Sequence, residues 1–273
     1  MMLQTTASET STTAAITRSP WLGLHRPAEA QLRARLMILP FAGGSASAFF
    51  PWTREVGGNE WLEIDVLQPP GRSTRFREAP LTSLEAYADE VADQALELAH
   101  VHGEAPLFLM GYSMGALVAY LTARDHGPRL PLAHLIVAAR RAPIRQQASL
   151  PGARLSRDEV LARLKRLQGT PEALLRTPEL LEPYLDSISA EFHLVDSWSD
   201  DRLPSLDVNT TAVAGLDDPE TPLGEVFGWA DLTTRDFTAH FLRGGHFFMN
   251  TARSKACRLV KQTIEAEMDG DTR

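Results

Sequence analysis

Four side chains in this sequence have the types and settings that nucleophilic acyl chemistry needs. Ser113 stands between glycines in Gly111-Tyr112-Ser113-Met114-Gly115. A serine hydroxyl is a poor nucleophile until an imidazole takes its proton, and the imidazole needs a carboxylate to fix its tautomer. Of eight histidines, three lie beyond residue 144. His193 falls in a helical stretch and His240 inside a strand pattern. His246 sits in Arg243-Gly244-Gly245-His246-Phe247-Phe248, a glycine-flexible loop able to aim a ring, and is the expected general base. The carboxylate is sought in Val213-Ala-Gly-Leu-Asp217-Asp218-Pro219. Asp218 is the fourth residue of a G-x-x-D turn and precedes a proline, which disfavours helical backbone there. Asp218 is therefore expected and Asp217 is the alternative, although aspartate forms turns without any catalytic task.

The elements around these residues decide whether they can meet. Pro106-Leu-Phe-Leu-Met110 is a short apolar run that reads as a buried strand, and the breaker-free stretch after Gly115 reads as a helix ending near Gly127-Pro128. A G-x-S-x-G should occur by chance in roughly one chain in ten of this length, given ordinary glycine usage. The flanking strand and helix are what make it informative, because together they match the nucleophile elbow of the α/β-hydrolases. Strand patterns also occupy 36–39, 62–67, 135–139, 208–214 and 238–242. Helical patterns fall at 47–57 and 84–101, the latter with Leu84, Tyr87, Ala88, Val91, Ala95 and Leu98 on one stripe. Such alternation predicts a mostly parallel central sheet flanked by helices. Serine, aspartate and histidine then fall in that order at the ends of successive strands, as that fold requires. The loop Pro40-Phe41-Ala42-Gly43-Gly44 follows the first strong strand. Backbone N–H groups of Ala42 (or Phe41) and Met114 are the expected oxyanion donors. No lysine follows its glycines as a phosphate cradle would demand.

Residues 144–203 contain helical signals and no clear strand. Ser156-Arg-Asp-Glu159 is a capping box, and Pro171 and Pro178 stand at the first positions of short helices. The expected organisation is a core of 21–143 and 204–267, an inserted helical lid at 144–203, a disordered tail at 1–20 and a short tail at 268–273. Phe192, Leu194 and Trp198 are candidate linings of an acyl tunnel beneath the lid.

Composition excludes other classes. The net charge of −8 argues against a nucleic-acid binder. No apolar run approaches a membrane span, and the N-terminus lacks the basic-then-apolar pattern of a signal peptide. The single cysteine, Cys257, rules out an intrachain disulfide and reads as a small packing residue in the last helix. A cytoplasmic protein follows, and nothing in the sequence demands more than a monomer.

Six blocks extend the resemblance: Leu39-Pro-Phe-Ala-Gly-Gly-Ser45, Gln68-Pro-Pro-Gly-Arg72, Gly111-Tyr-Ser-Met-Gly-Ala116, Ala139-Arg-Arg-Ala-Pro143, Gly215-Leu-Asp-Asp-Pro219 and Gly244-Gly-His-Phe-Phe248. In order and spacing they resemble the type II thioesterases, the free-standing editing hydrolases of polyketide and non-ribosomal peptide synthesis. Leu164-Lys-Arg-Leu-Gln-Gly-Thr-Pro171 is similar to that family's lid segment. The chain departs from it at Phe41 and Tyr112, where the family commonly carries histidine. The resemblance implies hydrolysis of acyl groups from the phosphopantetheine arm of acyl or peptidyl carrier proteins, with Ser113, His246 and Asp218 as triad and neither metal nor redox cofactor.

Charge suggests where a carrier would dock. Between Arg140 and Arg166 eight basic residues face two acidic ones, a local +6 in a chain of −8. Arg157, Arg163 and Arg166 are candidate contacts for an acidic carrier, and Arg72, Arg75 or Arg77 for the pantetheine phosphate. Two other readings compete: a general carboxylesterase or acyltransferase on the same scaffold, and a catalytically silent carrier-binding module.

Overall fold

A computed structural model describes residues 19–57, 60–145, 154–200 and 203–270. Most of the expected tail at 1–20 and the segment 146–153 of the expected lid lie outside them. Seven strands form one sheet: β1 (Leu22–Arg26), β2 (Ala34–Leu39), β3 (Leu62–Leu67), β4 (Leu107–Tyr112), β5 (Leu132–Ala138), β6 (Asn209–Gly215) and β7 (Phe237–Leu242). Their order is β1-β3-β2-β4-β5-β6-β7, and every pair is parallel except β1 with β3. This is the α/β-hydrolase arrangement.

The central strands are buried along their whole length, which is why they read as unbroken apolar runs. Alternate residues serve opposite faces. Met37, Leu39, Leu107 and Leu109 pack with helices α2 (Leu84–His102) and α3 (Met114–His126). Leu36, Ile38, Phe108 and Met110 pack with Trp52 and Val56 of α1 (Phe50–Val56), and with Cys257, Val260 and Ile264 of α6 (Arg253–Gly270). The predicted stripe of α2 is buried throughout, and Ser83 caps that helix by accepting from the Ala86 N–H at 2.9 Å. Cys257 is buried, and burial raises its thiol to about 12.

Two elements differ from the sequence expectation. β1 carries no strong signal because it is a half-buried, five-residue edge strand with polar residues at one end. The last helix continues to Gly270, into the expected tail, because a solvated terminal turn shows no apolar periodicity to mark its end.

Between β5 and β6 the described residues hold helices, chiefly α4 (Arg157–Leu167) and α5 (Glu182–Ser197). The capping box at the start of α4 is formed, with the Ser156 N–H donating to Glu159 at 2.8 Å. Val160, Leu167, Leu185, Ile188 and Phe192 make a separate small core, packed against Phe247 and Ala42 of the sheet domain.

Register does the positioning. Leu39 is level with Gly111, Tyr112 with Ala138, Ala138 with Val213, and Gly215 with Leu242. The ends of β2, β4, β6 and β7 therefore open onto one edge of the sheet, so the loops that follow them meet.

Candidate active site

Ser113 occupies a backbone conformation that side chains rarely adopt, with φ of 54° and ψ of −110°. Its neighbours explain why this turn is glycine-bounded. A Cβ on Gly111 would lie 2.0 Å from the Gly115 carbonyl oxygen, and one on Gly115 would lie 2.2 Å from that of Leu39. The Ser113 N–H donates to the Ala138 carbonyl at 2.8 Å, which ties the strained turn to the next strand.

The structure brings Ser113, His246 and Asp218 together. Ser113 Oγ is 2.9 Å from His246 Nε2, and His246 Nδ1 is 2.8 Å from Asp218 Oδ2. The second carboxylate oxygen of Asp218 accepts from the Glu220 N–H at 2.9 Å. His246 and Asp218 are buried, whereas Asp217 points to solvent. The two loops approach closely, since a Cβ on Gly215 would meet the Gly245 carbonyl at 2.3 Å. Of the other two histidines, His193 lies on α5, and His240 on β7 lines a different, polar cleft with His134.

Ala42 and Met114 both line the cavity beside Ser113. Met114 opens α3, so its N–H has no acceptor within the helix. Phe41 packs edge-on against Phe247, with ring centroids 4.7 Å apart. Tyr112 donates its hydroxyl hydrogen to the His246 carbonyl at 2.6 Å. The two aromatic departures thus support the His246 loop from below.

The cavity at Ser113 measures about 20 Å³, room for about one water molecule. An open cleft of about 600 Å³ adjoins it, sharing Arg140, Arg163 and Glu220 as walls. Burial, with Arg141 nearby, pulls the Arg140 guanidinium down to about 10. Phe192 lines the cavity as expected. Leu194 and Trp198 do not. Both pack into the main core, and Trp198 donates its indole N–H to Glu85 at 2.9 Å, because α5 turns that side toward α2.

The basic residues also separate. Arg72, a candidate phosphate contact, is buried; it donates to the Gly44 carbonyl at 2.6 Å and pairs with Glu191, so it offers no charge to a partner. Arg75 is buried too, bound to Glu78 and stacked 4.3 Å from the Trp21 ring. Arg163 is turned inward: it grips Asp196 and Glu220 and lies 4.2 Å from the Phe192 ring. Arg166 reaches Glu220 at 2.7 Å and Arg157 reaches Glu182 at 2.8 Å, yet both remain exposed.

Sequence reasoning missed Glu220 and Glu191. Glu220 is partly buried, and burial alone would raise its carboxyl; hydrogen bonds and charge from Arg163 overcome that and hold it at about 2. Glu191 is fully buried. The signal for it was present, since Glu191 lies on the apolar stripe of Leu185, Ile188, Phe192 and Val195, where a lone carboxylate demands a buried partner. Far from Ser113, His25, Glu63 and His102 place ligand-type atoms within 4.8 Å of one another. Those atoms already satisfy each other, with His25 on Asp65 and both His102 and Arg35 on Glu63.

With this geometry in view, similarity to known proteins becomes informative. A family model described as a thioesterase domain matches residues 34–265. The chain belongs to that family. It is 34% identical over 243 residues to the probable cadicidin biosynthesis thioesterase of Streptomyces griseus, covering 87% of this chain and 64% of the relative, so it spans under two thirds of that protein's length. RedJ, the thioesterase from the prodiginine pathway of Streptomyces coelicolor, superposes with a TM-score of 0.76 at 29% identity, covering 96% of this chain and 97% of its own. The type II thioesterase BorB of the borrelidin cluster gives 0.73 at 29% identity, covering 92% and 98%. In this company the chain stands among the type II thioesterases, as a hydrolase of thioesters. No helix among the described residues is long and apolar enough to cross a membrane.

Proposed function

We propose that this thioesterase hydrolyses acyl groups from the phosphopantetheine thiol of acyl or peptidyl carrier proteins, clearing stalled or aberrant intermediates in the cytoplasm. The observation that carries the reading is the unbroken Ser113–His246–Asp218 hydrogen-bond chain at one edge of a thioesterase fold. His246 takes the Ser113 proton as Oγ attacks the thioester carbonyl, and Asp218 steadies the imidazolium. The Ala42 and Met114 amides hold the oxyanion. The carbon–sulfur bond breaks, and the thiol leaves with the proton from His246. A thiolate leaves more readily than an alkoxide because it is a far weaker base. Water, deprotonated by His246, then attacks the acyl-enzyme and releases the acid. Each step uses groups of this chain and water, and requires neither metal nor redox cofactor.

The cavity at Ser113 is small, so we place the rest of the acyl chain in the open cleft that shares Arg140, Arg163 and Glu220 with it. The test is incubation of acylated carrier protein with the enzyme and with Ser113→Ala, followed by intact-mass measurement. Loss of acyl mass with the intact enzyme alone is expected. Hydrolysis of small oxygen esters without any effect on the carrier would instead favour a carboxylesterase, and no turnover of either would favour a silent binding module.

A further inference from the structure

The oxyanion loop is held from both sides by one buried ion pair, and half of that pair belongs to the lid. Residues 41–44 form a tight turn, in which the Gly44 N–H donates to the Phe41 carbonyl at 2.8 Å and Gly43 has φ of +75°. The Gly43 N–H donates to Glu191 Oε2 at 2.7 Å. The Gly44 carbonyl accepts from Arg72 Nη1 at 2.6 Å. Arg72 and Glu191 are themselves paired, and both are almost wholly buried. Glu191 stands on α5, and one turn earlier Ile188 covers Gly43, where an added Cβ would lie 3.0 Å away.

We propose that Glu191 is a positioning residue for the oxyanion hole, so that the hole is assembled only while α5 is seated on the loop. This rests on the assignment of the Ala42 amide as an oxyanion donor. Glu191 consumes the Gly43 N–H, which removes it as a competing donor. It also fixes the peptide between Ala42 and Gly43, leaving the backbone at Ala42 little freedom to rotate its own N–H out of the cavity. The adjacent residue, Phe192, lines that cavity, so one helical turn touches both the acyl pocket and the loop that stabilises the transition state. An acyl chain that lifts α5 disturbs the hole, whereas one that lets α5 settle is hydrolysed. Selectivity among acyl groups then appears in kcat rather than in KM.

A buried carboxylate and guanidinium are costly to desolvate, and removing one alone leaves the other uncompensated. The decisive variant is therefore the double substitution Glu191→Leu with Arg72→Met, which replaces the pair by apolar groups of similar length and leaves no buried charge. Two readouts are taken: turnover of an acyl N-acetylcysteamine thioester, and affinity for a trifluoromethyl ketone whose hemiketal oxyanion occupies the hole. With the fold intact by circular dichroism and thermal melting, kcat should fall about 100-fold, the scale of a misplaced oxyanion donor. KM should stay within about twofold, and affinity for the ketone should fall in parallel with kcat. Glu191→Gln keeps an acceptor for the Gly43 N–H and should recover a substantial part of both. A folded double variant with unchanged kcat and ketone affinity overturns the proposal, as does a loss confined to thermal stability. If the intact enzyme binds the ketone but does not turn over the thioester, the functional reading fails while the ketone affinities still decide the role of Glu191. If the intact enzyme does not bind the ketone, the oxyanion assignment falls and the proposal with it.

Discussion

On the sheet side of Ser113 the site is built from backbone and glycine, whereas on the lid side it is built from charged side chains. The elbow, the Asp218 loop and the His246 loop are fixed by strand register and by approaches so close that Gly111, Gly115 and Gly215 admit no Cβ. The lid reaches the same edge through Glu191 with Arg72, and through Arg163 with Glu220. Steric fits of the first kind are insensitive to pH and all-or-none. Ion pairs of the second kind can open and re-form as charges are solvated or neutralised. A site with one rigid wall and one charge-latched wall keeps Ser113, His246 and Asp218 in place by sheet register, while the oxyanion loop depends on whether α5 is seated.

The sharpest way to break the rigid wall is Gly115→Ala. Its Cβ would fall 2.2 Å from the Leu39 carbonyl oxygen and 2.8 Å from that of Pro40, both backbone atoms that cannot step aside. Turnover should vanish, and stability measured by urea denaturation should drop by at least about 4 kcal/mol, the range of disrupted buried backbone. Gly127→Ala is the matched control. Nothing lies within 4 Å of its Cβ and its backbone is helical, so stability should hold or rise by up to about 1 kcal/mol. Equal damage from the two would refute the steric account.

That contrast also governs how much could be read from the chain alone. Ser113, Asp218 and His246 were legible because steric and covalent-order constraints leave marks in sequence: glycines at fixed offsets, a proline after the acid, buried strands before each loop. The choice between Asp217 and Asp218 rested on the G-x-x-D spacing and one proline, and the geometry places Asp218 beside the imidazole. Lid residues were legible only as helical faces. Phe192, Leu194 and Trp198 were all apolar candidates, but the rotation of α5 against the core decides which of them faces the cavity, and rotation is set by tertiary contacts. For the same reason the basic residues of 140–166 looked like one surface, although Arg163 is spent on internal carboxylates.

The latched wall should yield to acid. Glu220 is held at about 2 in the folded chain against an ordinary value near 4.5: burial pushes the carboxyl up, and Arg163 more than reverses it. A depressed carboxyl contributes its stability fully above the unfolded value and loses it as pH falls through the folded one. Glu220→Gln should therefore cost roughly 2 kcal/mol at neutral pH, after allowance for partial exposure. The gap between variant and parent should narrow steadily between about pH 4.5 and pH 2. Urea denaturation of both proteins across that interval measures it. A gap that stays constant with pH would show that Glu220 acts by shape alone and not as a charge.

The smallest effect is expected on the outer face of the lid, where charge serves neither wall. Arg154, Arg157 and Lys165 remain exposed, and exposed ion pairs such as Arg157–Glu182 add little to stability. On the proposed function, their sum is the surface where an acidic carrier would dock, beside the cleft that adjoins Ser113. Reversing Arg157 and Lys165 to glutamate, with Arg166 spared because it also holds Glu220, should leave stability within about 0.5 kcal/mol. Turnover of a small thioester should not change. The apparent KM for carrier-bound substrate should rise about tenfold, and the rise should shrink at high salt, as screening weakens charge steering. A carrier KM that ignores both the reversals and the salt would place docking elsewhere on the molecule, and would leave the lid's outer arginines as solvated surface.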